Sequence, residues 1–268
     1  MVKVIAADMD GTFLDSKGEF DTEAFQTQLD KMAAKGMHFI SASSNPYSHQ
    51  LKTFSKNSGP ISYICDNGAL TVDEHGIIVK EEIIDPLLLH QLLDWFKTKP
   101  EFANAEVTLA GRNGSYNNMP ADSDEFKATK YFYEDMQAVA DLKMIFDAVY
   151  KVDVLFKDAN ALEMALEVNK KFGGKLVAVS SGMNGIDIML KGVSKSAAID
   201  ELLAKWQLSF DDVAAFGDNG NDYEMISDAG EGYAVKNAAP DLTAMVPNVL
   251  ELTNDEKAVQ KKIDEYLG

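Results

Sequence analysis

The feature that most constrains this chain is its opening segment, Val2-Lys3-Val4-Ile5-Ala6-Ala7, an apolar run interrupted only by Lys3 and closed by Asp8. A strand that is apolar at successive positions, instead of alternate ones, is buried on both faces. Such strands belong to parallel sheets with helices on either side. Each parallel strand must be followed by a long crossover, usually a helix, and the next residues supply one. Asp21 caps a segment whose Phe25, Leu29, Met32 and Ala33 recur at helical spacing, with Gly36 as its stop. Residues 37–42 read as the second strand. Pro46 is placed to open another helix, where its missing N–H costs nothing. Ile61–Cys65 reads as a third strand and Asp66-Asn67-Gly68 as a turn. Leu70–Val72 and Ile77–Ile83, parted by Asp73–Gly76, read as a hairpin.

Past residue 85 the simple alternation stops. Pro86–Thr98 is a leucine-rich helical pattern, followed by a Gly/Asn/Pro-rich stretch around 111–120. Lys151–Phe156, Lys175–Val179 and Ile186–Leu190 read as strands, and Ala159–Phe172 as a helix. This mixture is that of an α+β insertion. Alternation returns near 192. Ser194 caps a helix to about Trp206, Asp212–Phe216 is a strand, and Asn221–Ser227 begins a helix. Tyr233–Val235 is a short strand and Asp255–Leu267 a last helix. The expected fold class is α/β: a doubly wound parallel core from residues 1–84 and 191–268, with an inserted α+β domain at 85–190.

Composition narrows the function. The 268 residues are 46% hydrophobic and 25% charged, ordinary for a soluble globular protein. The 43 acidic against 25 basic residues give a net charge of −18, which excludes nucleic acid and anionic lipid as main partners. No apolar run approaches the roughly 20 residues that span a bilayer, and the opening segment reads as a buried strand, not a signal peptide. A single cysteine, Cys65, makes no internal disulfide, and a reducing, cytoplasmic setting is expected. Nothing in the sequence speaks to oligomeric state.

In a doubly wound sheet, ligands bind outside the carboxyl ends of the strands, and four features converge there. The first is Asp8-Met9-Asp10-Gly11-Thr12. Strand alternation sends Asp8 and Asp10 to the same side, and carboxylates so close need a bound cation or a shared proton. The second is Gly217-Asp218-Asn219-Gly220-Asn221-Asp222, whose hard oxygen donors suit Mg²⁺. The third is Ser41-Ala42-Ser43-Ser44-Asn45, with hydroxyls and N–H groups at a helix start that form an anion site. The fourth is Lys195, a cation at a helix start, opposed to the helix dipole, a position that a bound anion would explain. Each has a plainer reading by itself: an acidic turn, an Asx turn, a helix cap and a solvated lysine.

In this order and spacing the four motifs resemble the signature of the haloacid dehalogenase superfamily, which is DxDGT, then Ser/Thr, then Lys, then GDxxND. Asn67-Gly68-Ala69, Gly192-Val193-Ser194-Lys195 and the position of the insertion make the chain similar to the Cof-type sugar and small-molecule phosphatases. Those enzymes carry a type IIB cap at that position. The resemblance runs essentially the whole length. It departs where many relatives have Thr-Gly-Arg and this chain has Ser43-Ser44-Asn45. The resemblance implies a Mg²⁺-dependent phosphatase with Asp8 as nucleophile and Asp10 as general acid and then base. It implies Mg²⁺ held by the Asp8 carboxylate, the Asp10 backbone carbonyl and Asp218, with Asp222 in support. It places the phosphoryl group against Met9, Ser43, Ser44, Lys195 and Asn221. The expected partner is a small phosphorylated metabolite, with selectivity in a cap that folds as a lid. Arg112, the only arginine, is a candidate contact there, an exposed loop arginine being the plainer reading. A phosphomutase of the same superfamily shares the nucleophile. Dehalogenases have no use for Asp10. A receiver domain, also acidic and phosphorylated on Asp, is about half this length and has no insertion.

Overall fold

The first strand, β1 (Val4–Ala7), is buried at every position, as its unbroken apolar run requires. The computed structural model describes residues 1–182 and 184–268. Asp21 opens α1 (Thr22–Ala34), its Oδ1 accepting the Ala24 N–H at 3.0 Å, and Phe25, Leu29 and Met32 face inward. Next come β2 (His38–Ala42), α2 (Tyr47–Thr53) and β3 (Ile61–Cys65). Pro46 stands one residue before α2 with extended ψ of 162°, not in the first turn as expected. Its fixed φ suits an N-cap as well as a first helical residue. The hairpin follows as β4 (Leu70–Val72) and β5 (Ile78–Glu81), turned on Asp73, which accepts the Gly76 N–H at its backbone oxygen.

The inserted segment begins with α3 (Pro86–Phe96), capped by Asp85, and buries Leu88, Leu89, Leu92, Leu93 and Phe96. It continues through β6 (Glu106–Gly111), β7 (Gly114–Asn117), α4 (Asp124–Thr129) and β8 (Met136–Ala138). After these come β9 (Val149–Leu155), α5 (Ala161–Phe172), β10 (Leu176–Gly182) and β11 (Gly185–Leu190). The stretch that begins at 111 is therefore not a plain loop. β6 and β7 form a hairpin with Gly111 opposite Gly114 and Thr108 opposite Asn117, turning on Arg112 and Asn113. The alternation was masked because β6 is buried on both faces, Glu106 and Thr108 included.

The chain then runs through α6 (Lys195–Trp206), β12 (Val213–Gly217), α7 (Tyr223–Asp228) and β13 (Glu231–Ala234). It ends with α8 (Pro240–Met245) and α9 (Ala258–Leu267). Two units result, Met1–Lys80 with Ser194–Gly268, and Glu81–Val193. The chain passes between the units at 80/81 and 193/194, where the sequence pattern predicts 84/85 and 190/191.

In the first unit, seven strands lie in the order β13-β12-β1-β2-β3-β4-β5. The pairs from β13 to β3 are parallel and β3–β4 is antiparallel. Ile5, Phe39, Ile40 and Phe216 are wholly buried in its core, and each such side chain contributes about 1.5–3 kcal/mol by leaving water. Phe13, Phe25 and Phe39 pack with ring centroids 4.8–5.3 Å apart. The inserted unit has a six-stranded sheet, β10-β11-β9-β6-β7-β8, antiparallel except for β7–β8. Its core joins Leu109, Val152, Val154, Ile186 and Ile188 of the sheet to Leu92 of α3 and Val168 of α5. Among the described residues, no helix is long and apolar enough to cross a membrane.

In the first sheet, the chain leaves β1 toward β2 and β3, and later returns to β12 on the other side of β1. The order therefore reverses between β1 and β12. A crevice at the carboxyl ends of these two strands is where such a sheet binds ligands.

Candidate active site

Asp8 is the first residue beyond β1 and Asp218 the first beyond β12, and the two strands pair with Ala7 opposite Phe216. Parallel register thus places two carboxylates side by side at the crevice. The strand does not continue past Ala7, which corrects the expectation that alternation turns Asp8 and Asp10 the same way. Met9–Phe13 close a helical turn, with the Phe13 N–H on the Asp8 carbonyl at 3.1 Å. Gly11 makes this turn at φ +82°, and a Cβ there would lie 2.7 Å from Asp218 Oδ2. Asp8 is consequently buried and Asp10 exposed. The Asp10 carboxylate accepts a hydrogen bond from Asn45 Nδ2 at 2.7 Å.

Oxygens of Asp8, Asp218 and Asp222 all lie within 4.8 Å of one another, and the Asp10 carboxylate is not in this group. Asp222 is wholly buried and fixed at both oxygens. Its Oδ2 accepts the N–H groups of Asp218 (2.9 Å) and Asn219 (3.0 Å), while its Oδ1 accepts from Lys195 Nζ (2.7 Å). Thr12 donates to Asp218 Oδ1 at 3.0 Å.

Lys195 is the first residue of α6, which Ser194 caps by accepting the Ala197 N–H at 3.2 Å. Its ammonium is wholly buried and also donates to Asp8 Oδ1 at 2.5 Å. Where a bound anion was the expected explanation for a cation at this helix start, the ammonium is met by the chain's own carboxylates. Burial disfavours this ammonium, but Asp222 and Asp8 outweigh it and hold Lys195 above the usual lysine range. Burial pushes Asp8 well above the usual carboxylate range against the pull of Lys195, with Asp222 and Asp218 adding to the push. Burial and Asp222 likewise raise Asp218 to about 6. Three carboxylates against one ammonium leave an excess of negative charge that burial makes costly. A divalent cation with oxygen ligands would neutralise it, so the donor set fits Mg²⁺.

The other expected phosphate contacts fall on neighbouring loops. Met9 is buried within the turn after β1. Ser43, beyond β2, is buried and accepts the Asn45 N–H at 3.0 Å, and Ser44 is half-buried beside it. Asn221 lies in the turn before α7 and donates to Asn67 Oδ1 at 2.9 Å. Asn67 belongs to the left-handed run Asp66-Asn67-Gly68. Gly68, at φ +106°, is so close to α6 that a Cβ would meet the Ser194 carbonyl at 2.3 Å.

The profile of the haloacid dehalogenase-like hydrolase family matches residues 5–263. The chain belongs to that family. It is 27% identical over 266 residues to "5-amino-6-(5-phospho-D-ribitylamino)uracil phosphatase YbjI" of Escherichia coli K12, covering 99% of this chain and 96% of that one. It is 25% identical to an "HMP-PP phosphatase" of Yersinia pestis strain Pestoides F, covering 93% and 89%. The crystal structure of SMU.1108c from Streptococcus mutans UA159 superposes with a TM-score of 0.91 at 29% identity, over 100% of this chain and 99% of that one.

In this haloacid dehalogenase-like hydrolase, Thr12, Asn45 and Asn67 have no expected role, yet they bond to Asp218, Asp10 and Asn221 respectively. Thr12 and Asn67 lie inside the Asp8–Thr12 and Asn67–Ala69 motifs and Asn45 marks the departure from Thr-Gly-Arg, so the signal is present in the sequence without its geometry. Arg112 is engaged within the inserted unit. Its Nε and Nη2 donate to the two oxygens of Glu81 at 2.9 and 2.6 Å, and Tyr150 donates to the same carboxylate.

Proposed function

We propose that this phosphatase hydrolyses small phosphate monoesters, sugar phosphates among them, with Mg²⁺ and through an aspartyl-phosphate on Asp8. The observation that carries the reading is the cluster of buried Asp8, Asp222 and Lys195 with half-buried Asp218 at the switch point of the parallel sheet. The family match along almost the whole chain and the phosphatases among its relatives support it.

An Asp8 carboxylate oxygen would attack phosphorus as the bond to the ester oxygen breaks, and Asp10 would give that oxygen its proton. Asp10 would then take a proton from water, whose oxygen attacks phosphorus and breaks the bond to Asp8. Phosphate leaves and the carboxylate is restored. Lys195 has three N–H donors, two of them committed to Asp8 and Asp222, and the third would donate to a phosphoryl oxygen. Ser43, Ser44, Asn221 and the N–H of Met9 supply further donors to the charge that spreads over the transferring group. Mg²⁺ would be held by the Asp8 carboxylate, the Asp10 carbonyl and Asp218, with Asp222 behind them, and would neutralise charge on the phosphate oxygens.

The Escherichia coli relative is named for a small phosphorylated compound, and a substrate of that size class, met in the cytoplasm, is our reading here. The test is release of inorganic phosphate from a panel of small phosphate esters with added Mg²⁺. Turnover that is lost with a chelator and in Asp8→Asn supports the proposal. Turnover that needs a bisphosphate activator and yields an isomer without free phosphate overturns it in favour of a mutase.

A further inference from the structure

The loop after β2 reaches Asp10 through one side chain. Asn45 is buried, with 8% of its surface exposed, and its Nδ2 donates to Asp10 Oδ2 at 2.7 Å. The backbone that carries this amide is fixed on every side. The Asn45 N–H donates to Ser43 Oγ at 3.0 Å, and the Asn45 carbonyl accepts the Asp66 N–H at 3.1 Å and Gln50 Nε2 at 3.4 Å. Gln50, itself buried, ties this loop to the ends of two strands. Its Nε2 also donates to the Ile64 carbonyl at 2.9 Å and its Oε1 accepts from Ser41 Oγ at 2.6 Å. Asp10, by contrast, is exposed and lies in a turn whose backbone leaves helical geometry at Asp10 itself, φ −73° and ψ 119°. An exposed carboxylate on such a turn samples several rotamers unless a rigid neighbour holds one.

We infer that Asn45 is the positioning residue of Asp10, holding its carboxylate in one orientation for proton transfer to the leaving group. The inference rests on the hydrolase reading above. A neutral amide does this without adding charge. Its Nδ2 donor restrains one carboxylate oxygen and leaves the other for the ester oxygen or for water. General acid catalysis depends on reach as well as acidity, so a released Asp10 should fail most where the leaving group most needs a proton.

The test compares Asn45→Ala and the isosteric Asn45→Asp with the wild type on an alkyl phosphate and on p-nitrophenyl phosphate. The value of kcat/KM reports steps up to phosphoryl transfer, and p-nitrophenolate leaves without a proton. We expect kcat/KM for the alkyl ester to fall by ~10–100-fold, part of the ~10²–10⁴ that a positioned acid supplies. For p-nitrophenyl phosphate kcat/KM should stay within about twofold. There kcat and KM should fall together, because the step that uses Asp10 as base is slowed for every substrate. In an Asp10→Ala background, Asn45→Ala should have no further effect. Asn45→Asp keeps the shape of the loop and turns the donor into an acceptor facing Asp10, so it should be at least as impaired as Asn45→Ala. Equal losses on both esters, or an undiminished effect in the Asp10→Ala background, overturn the role of Asn45 and leave the hydrolase standing. A wild-type chain inactive on both esters overturns the hydrolase reading and this one with it.

Discussion

Lys195 Nζ lies 2.5 Å from Asp8 Oδ1, with none of the lysine side chain and 10% of the aspartate side chain exposed. The same ammonium holds Asp222 at 2.7 Å, so one buried cation ties the end of β1 to the loop after β12. Removing it leaves two carboxylates uncompensated. Lys195→Met, which keeps the bulk of the side chain, should lower unfolding free energy by about 3–5 kcal/mol. It should lower kcat/KM for phosphate release by ~100-fold or more. Urea denaturation and a phosphate-release assay measure the two. A variant as stable as the wild type would show that these carboxylates do not depend on Lys195.

Asp8→Asn separates catalysis from stability. The amide is close in shape and still offers an oxygen to Lys195, but it is a poor nucleophile. It also removes one of three crowded carboxylates, the one that burial, with Asp222 and Asp218, pushes well above the usual carboxylate range against the pull of Lys195. The variant should be inactive and, with no divalent cation added, at least as heat-stable as the wild type. Steady-state turnover by the folded variant would refute the nucleophile assignment. A large fall in Tm would refute the account of crowding.

Mg²⁺ binding should be visible without any substrate. A ligand that binds only the folded state stabilises by about 2.7 kcal/mol at a hundredfold excess over Kd, so millimolar Mg²⁺ should raise Tm and a chelator should reverse the rise. Asp218→Asn, which keeps an acceptor for Thr12, should abolish most of the shift. An unchanged shift in Asp218→Asn would place the ion elsewhere.

The central strands of the first unit were legible because they are apolar at successive positions, as Val4–Ala7 and Val213–Phe216 are, and a sheet covered on both faces produces such runs. Asp8, Asp218, Asp222 and Lys195 were legible because each sits at a strand end or a helix start. The turn after Asp8 was not. Strand periodicity carries no mark of where it stops, and the cause of the turn is Gly11 fitting against Asp218, a residue far along the chain. Asn45 was visible only as a departure from a pattern, since its partner Asp10 comes from another strand's loop. In the inserted unit, β6 and β7 were hidden by polar residues that are nonetheless buried, Thr108 and Asn117 among them.

A carboxyl in the same sheet should give the inserted unit a pH dependence of its own. Asp153 lies on β9 opposite Asp187 of β11, and its Oδ2 accepts from the Tyr133 hydroxyl at 2.9 Å. Burial and then Asp187 push its carboxyl up to about 7, against Lys151 and Tyr133. Between the unfolded value near 3.8 and about 7, the folded chain keeps a proton that the unfolded chain releases. Stability contributed here therefore falls as pH rises through that window and stays low above it. Asp153→Asn retains an acceptor for Tyr133 and has no charge to bury. It should flatten the slope of unfolding free energy between pH 4 and 7 and raise stability at pH 8 by ~1–3 kcal/mol, less than the full shift because charges in proteins are partly relaxed. Urea denaturation of both chains at pH 5 and pH 8 measures this, and equal losses between the two pH values in wild type and variant would show that Asp153 does not carry the dependence.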